Sequence, residues 1–189
     1  GKSLHIKNVE KYLKKKQIKY IKLREPGGSK NSEKIRNLIL KKSSNFNKLT
    51  DLFLYMAARN ENYHSLLKKN YKKKIILIDR FVDSTIAYQH YGFGVDLKFI
   101  NTINSFLLKN FEVDFTFLNI VNKKNMVKRL KLRKSLNRYD TFNIRFYEKV
   151  QKGFLTLAKK NKKRYKIIDS NLDINLNQDQ VIQTIKKLI

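Results

Sequence analysis

The sequence predicts an α/β fold, a parallel sheet with helices on both faces, and three observations carry that expectation. Short apolar runs alternate along the chain with segments whose apolar residues recur at helical spacing, the pattern of a doubly wound sheet. Ile75, Ile76, Leu77 and Ile78 form an unbroken, β-branched run, which suits a strand buried on both faces. Asp79 and Arg80 follow at once, at the carboxyl end of that strand, where open α/β sheets place their ligands. No repeat or low-complexity linker interrupts the order, so the 189 residues read as one domain able to bury a sizeable core.

The first helix runs over about residues 3–16, with Ile6, Val9 and Leu13 at helical spacing. A short strand over 18–23 follows, and its alternation of Ile18 and Tyr20 with Lys19 and Lys22 puts it towards a sheet edge. Arg24-Glu25-Pro26-Gly27-Gly28 is a shaped loop at the end of that strand, because Pro fixes one dihedral and glycine permits conformations closed to other residues. Ser32 is the expected N-cap of a helix over EKIRNLILKK. A polar connection then leads to a long helix over about 49–70, on which Tyr55 and Arg59, four apart, share a face.

Beyond the central strand, 84–91 form a helix ended by Gly92 and Gly94, and Phe99, Ile103, Phe106 and Leu107 mark the next. Residues 115–121 are a buried strand, 125–133 a basic helix, and 134–141 a loop carrying Arg138. Phe146, Val150, Phe154 and Leu157 mark a further helix. Ile167 and Ile168 close a last strand before Asp169, and residues 181–189 form an amphipathic helix.

Composition narrows the chemistry. There is no cysteine, which removes disulfides and thiolate metal sites, and the apolar runs are too short to span a bilayer. The formal net charge of +28 invites a nucleic-acid reading through phosphate neutralisation. The excess is mostly Lys, however, dispersed along the chain with many Asn, Ile, Phe and Tyr, the set A/T-rich codons encode. Much of the charge therefore reads as solvated surface, with loose, non-specific polyanion binding as a side effect. Arg is the scarcer base and its positions carry more weight, because a guanidinium fork grips phosphate bidentately.

Taken alone, Asp79 and Arg80 read as a structural ion pair at a strand end, and a lone Gly-Lys-Ser arises by chance in a Lys-rich chain. Gly1, Lys2 and Ser3 nevertheless open a helix in the way a P-loop ends, with Lys reaching phosphates and the Ser hydroxyl ligating Mg²⁺. Five stretches in one order make the combination specific: GKS opening a helix, REPGG after a strand, YMAAR on the long helix, DRFVDSTIAYQHYGFG at the centre and RLKLRKSLNRYD near the end. In these the chain resembles the bacterial-type thymidylate kinase family, P-loop nucleoside monophosphate kinases, over essentially its whole length.

The resemblance implies a P-loop NTPase fold, a lid over about residues 129–141, and transfer of the ATP γ-phosphoryl to dTMP with Mg²⁺ by a cytoplasmic homodimer. It also implies that the family's first, central strand lies upstream of Gly1, so that the chain as given would be poorly stable and inactive. Gly1, Lys2 and Ser3 fall on the ATP-phosphate positions, and Ser3 and Asp79 on those that serve Mg²⁺. Glu25 and Pro26 fall on the acceptor-side loop, with Arg36 and Arg80 on the grip for the acceptor's 5′-phosphate. Tyr55 takes the place of a ring that stacks on thymine. Arg59, Thr85 and Gln89 take base-bonding positions, and Tyr88 lies beneath the sugar. Arg129, Arg133 and Arg138 match lid arginines that close over the transferred phosphoryl, with Lys2 and Arg80 completing the catalytic cations. Lys134, Ser135, Asn137 and Asn119 depart from the family's pattern, in ways that would loosen the lid's own ion pairs without touching the phosphate grips.

Two other readings stand beside this one. A P-loop deoxynucleoside kinase would phosphorylate a 5′-hydroxyl and would want a carboxylate base, not two arginines, at the acceptor. A basic nucleic-acid-binding module would want its charges and aromatics gathered on one face.

Overall fold

The computed structural model describes residues 2–132 and 136–189. Strand β1 (Tyr20–Arg24) pairs with β2 (Ile75–Asp79), and β3 (Thr116–Ile120) with β4 (Tyr165–Asp169). Both ladders are parallel, with Tyr20 opposite Ile75 and Thr116 opposite Tyr165. The helices are α1 (Lys2–Lys15), α2 (Lys30–Leu40), α3 (Lys48–Asn62), α4 (Lys68–Asn70), α5 (Val82–Thr85), α6 (Leu97–Leu108), α7 (Lys123–Lys131), α8 (Ile144–Lys160) and α9 (Ile174–Leu188). A π-helical segment, Tyr63–Leu67, joins α3 to α4, and another, Ile86–Gly92, continues α5.

The two-residue period of β2 explains the layers. Ile75 and Leu77 pack on one side with Val9 and Leu13 of α1, Val181 of α9 and Ile168 of β4. Ile76 and Ile78 pack on the other with Leu23, Tyr63, Leu67 and Leu108. In β3, Phe117 joins the first cluster while Leu118 and Ile120 face Ala158 and Leu157 of α8. Each such side chain, when fully buried, contributes about 1.5–3 kcal/mol, so an alternating strand ties both helical layers to one sheet. Among the described residues β1, like β2, pairs on one side alone, so the ladder does not single out β1 as the edge its polar alternation predicts.

The ladders form two separate pairs, and β2 and β3 border one cavity of about 1050 Å³. Every residue of β2 stays half-exposed, although the run is apolar, because its side away from β1 opens on that space. The sequence reading puts a central strand at this place, and among the described residues no strand occupies it.

Several local expectations are corrected. Ser29, not Ser32, caps α2: the Ser29 side chain accepts from Ser32 N–H at 3.3 Å, and Ser32 lies buried inside the helix. The Ser32 hydroxyl serves the preceding loop instead, accepting from Gly27 N–H at 3.1 Å. The long helix starts at Lys48, capped by Asn47, and changes to a π turn after Asn62. The basic helix begins at Lys123, two residues before the expected start, because Asn122 caps it.

Candidate active site

One stripe of α3 builds most of the site. Asp51, Tyr55, Arg59 and Asn62 recur at intervals of four, four and three, so they stand above one another on one helix face. Arg59 is 1 % exposed and directs its guanidinium into the layer between loop and helix. It donates to Glu25 Oε2 from Nε at 2.9 Å and from Nη2 at 2.7 Å, to Thr85 Oγ1 at 2.9 Å and to Asn104 Oδ1 at 2.7 Å. Its remaining contact is the weakest, Nη1 to Met56 Sδ at 3.8 Å. Burial raises the Glu25 carboxyl above the usual carboxylate range, with Arg59 pulling the other way. Glu25 itself lines the cavity.

Asn62 fixes the Glu25–Ser29 loop. Its amide donates to Gly27 O at 2.6 Å and its oxygen accepts from Ser29 N–H at 2.9 Å. Gly27 and Gly28 sit at φ +111° and +116°, a region closed to most side chains, and a Cβ on Gly28 would meet Asn62 Oδ1 at 2.9 Å. Glycine is thus required for the loop to lie this close to α3. The Glu25–Pro26 peptide is cis. Glu25 N–H donates to Asp79 O at 2.9 Å, which carries the β1–β2 ladder up to the loop.

The side chains expected to bind phosphate also border the cavity. Arg36, from α2, is half-buried and donates from Nη1 to Pro26 O at 2.6 Å. Arg80 follows β2 at φ +67°, a left-handed conformation rare for an arginine, and its guanidinium lies 5.1 Å over the Tyr88 ring. Strain of this kind costs on the order of 1–3 kcal/mol and concentrates at functional sites. Lys2, in the first turn of α1, pairs with Asp79. Lys2, Glu25, Pro26, Arg36, Arg59, Asp79 and Arg80 all border the one cavity, as do Tyr55, Thr85, Tyr88, Gln89 and Arg129.

Tyr55 and Tyr88 form two walls, and the ring of Tyr139 lies edge-on to both, at centroid distances of 6.2 and 5.8 Å. Burial pushes the Tyr55 phenol up to about 12. Gln89, on the π turn after α5, is 1 % exposed, borders the cavity, and has no protein partner for either its amide oxygen or its amide nitrogen. A buried amide left so costs about 1–3 kcal/mol and calls for a ligand that both donates and accepts.

The lid residues separate. Arg129 donates to Ser170 O at 2.7 Å beside β4. Arg138 stands elsewhere than expected: its guanidinium is paired with the buried Asp51 on α3 and does not border the cavity. The pairing follows from Asp51 lying one turn before Tyr55, a carboxylate buried where an arginine must meet it. Gly1 and Arg133, both expected at the ATP phosphates, lie outside the described residues. Asp51, Asn62, Asn104 and Tyr139 were not singled out from sequence. The polar residues Asp51 and Asn62 on the same stripe as Tyr55 and Arg59 are the signal that could have found the first two.

Among the described residues no cluster of three His, Cys, Asp or Glu side chains could cage a metal unaided. Asp79, paired with Lys2 at the cavity, is a hard oxygen donor of the kind that fits a Mg²⁺ arriving with nucleotide phosphates, whereas Ser3 is exposed and does not border the cavity. No helix of the described residues is long and apolar enough to cross a membrane.

Comparison with known proteins agrees with this geometry. The family model described as thymidylate kinase matches residues 1–181. The thymidylate kinase of Sulfurihydrogenibium sp. (strain YO3AOP1) is 34% identical over 99% of this chain and 92% of its own length. That of Mycoplasma capricolum is 35% identical over 98% of this chain and 89% of its own. A crystal structure of thymidylate kinase from Ehrlichia chaffeensis superposes with a TM-score of 0.77 at 31% identity, covering 98% of this chain and 92% of that one. With parallel strands flanked by helices and the P-loop NTPase fold, the chain belongs to the thymidylate kinase family.

Proposed function

We propose that the chain transfers the γ-phosphoryl of ATP to dTMP, giving dTDP, with the shared cavity as the acceptor site. The observation that carries this is the conjunction in one cavity of Arg36 and Arg80 with the unpartnered amide of Gln89 and the rings of Tyr55 and Tyr88. The two guanidiniums hold a dianionic 5′-phosphate at one end. At the other end the Gln89 amide takes the donor and acceptor of a thymine edge, while Thr85, whose oxygen already accepts from Arg59, keeps its hydroxyl proton to donate. Arg59 reaches the base by giving up Met56 Sδ, its weakest partner, for a base oxygen. Tyr55 stacks on the base and Tyr88 lies under the sugar.

Phosphoryl transfer asks of the protein positioning and cations where charge gathers, with little covalent chemistry. Lys2, with Gly1 and Ser3, binds the donor phosphates, and Arg129 and Arg133 close on the ATP side. Ser3 and Asp79 would hold Mg²⁺, which would supply charge neutralisation on the donor phosphates. Arg138 serves from the Asp51 pair as an anchor of the lid segment and reaches the phosphoryl only by leaving it.

A second copy of the chain fits the apolar strip of α3 and α6. Leu49 and Phe53 are one turn apart, Phe99 and Phe106 two turns apart, all are exposed, and Phe53 packs edge-on to Phe99 at 6.1 Å. A homodimer would cover this face.

One observation favours the deoxynucleoside kinase reading: Glu25 is a carboxylate lining the cavity, where a base for a 5′-hydroxyl could stand. The discriminating experiment incubates the natural gene product with ATP and either dTMP or thymidine and separates the products. dTDP from dTMP with no dTMP from thymidine supports the proposal. The reverse selects the alternative.

A further inference from the structure

The Asp51 carboxylate is 1 % exposed, and its oxygens are divided between two neighbours in the segment before α8. Oδ1 takes the Arg138 guanidinium and Oδ2 takes the Tyr139 hydroxyl. Buried pairs of this type add little net stability against apolar replacements, yet they fix geometry, since either partner left alone is costly. What they fix here is a ring. Tyr139 is held at its hydroxyl by Asp51 and at its backbone by Tyr147, whose hydroxyl donates to Tyr139 O at 2.6 Å. A 3₁₀ turn over Arg138–Thr141, with a capping box between Asn137 and Asp140, sets the backbone between.

So held, the Tyr139 ring borders the cavity and lies edge-on to both Tyr55 and Tyr88. Its hydroxyl donates to Asp51 and accepts from Arg138 at 3.3 Å, so what it offers toward the cavity is ring surface. Asp51 and Tyr55 are four residues apart on one helix face, so one rigid element sets the tether and the ring it serves.

Resting on the kinase reading above, we propose that Tyr139 is a third aromatic wall of the dTMP pocket and that Asp51 is its positioning residue, acting on acceptor affinity through that ring. The lid segment and the acceptor pocket are then joined at one carboxylate.

The test is a double-mutant cycle on the full chain: Asp51→Asn, Tyr139→Leu and the pair, with Tyr139→Phe as the variant that keeps the ring and loses the tether. dTMP and ATP dissociation constants are measured by calorimetry, and melting temperatures confirm that each variant is folded. Asp51→Asn is expected to weaken dTMP about tenfold, as lost positioning of one aromatic contact allows, with ATP changed less than about twofold. Tyr139→Leu weakens dTMP at least as much, and Tyr139→Phe less than Tyr139→Leu. The double variant binds dTMP no worse than Tyr139→Leu alone, because Asp51 has no ring left to act through. Additive losses, equal weakening of dTMP and ATP, or no change in dTMP would overturn the proposal while leaving the kinase reading in place. Should the unaltered chain show no saturable dTMP binding, the kinase reading fails and this proposal falls with it.

Discussion

Arg59 and Glu25 form a two-pronged ion pair, Nε and Nη2 of one converging on Oε2 of the other at 2.9 and 2.7 Å, where neither side chain is more than 4 % exposed. The pair joins α3 to the glycine loop at the edge of the cavity. Removing one partner of such a pair costs about 3–5 kcal/mol, since the other charge stays buried and alone. Arg59→Ala is therefore expected to lower the melting temperature as well as raise the dTMP requirement sharply, with ATP affinity nearly unchanged. Equal weakening for both nucleotides would make Arg59 a purely structural residue.

Gln89 gives the opposite signature. Its buried, unpartnered amide costs about 1–3 kcal/mol in the free protein, a cost that a base edge removes. Gln89→Met, similar in size and apolar, should raise the melting temperature by a few degrees and weaken dTMP binding by an order of magnitude or more. A variant both less stable and equally tight would show that the amide is a packing residue.

Arg80 separates the phosphate grip from the general charge of the chain. Arg80→Ala should abolish conversion of dTMP to dTDP by the natural gene product. Retention of duplex DNA on filters should stay as it was and fall steeply with added salt, because counterion release drives it. Sequence-selective, salt-resistant retention lost with Arg80 would instead favour the nucleic-acid reading.

His5 predicts a pH dependence. It is 5 % exposed beside the cavity, neither ring nitrogen has a partner, and burial holds its pKa below the ordinary value of 6.5. A depressed imidazole favours the folded state while neutral, so its contribution is present above that ordinary value and is lost as pH falls through the lowered one. Melting temperature followed from pH 8 downwards should therefore decline below about 6.5, and His5→Leu should flatten the decline. An unchanged profile in the variant would place the acid sensitivity elsewhere.

Much of this was legible in the residues. The apolar run Ile75–Ile78 marked a strand with apolar clusters on both faces, because side-chain period follows directly from which faces are covered. Lys2, Arg36, Arg80 and Gln89 do meet at one cavity, though they come from four separate elements. What could not be read depends on partners far apart in sequence or on phase. The π turn over Ile86–Gly92 shifts the helical phase that aims Tyr88 and Gln89, and no residue pattern announces it. The Ser29 cap was missed because two serines three apart compete for one role, and the loop hydrogen bond to Ser32 decides between them. Arg138 was expected over phosphate because a lid arginine and a buried-pair arginine look alike until Asp51, 87 residues away, is seen to face it.

The central claim is that the cavity bordered by Arg36, Arg80 and Gln89 is the dTMP site. The measurement that tests it most directly is a crystal structure of the chain grown with dTMP. The account predicts the 5′-phosphate between Arg36 and Arg80, the thymine edge on the Gln89 amide, and the base ring against Tyr55. Ordered dTMP bound away from these side chains, whether against the β3 side of the same cavity or among surface lysines, would contradict it.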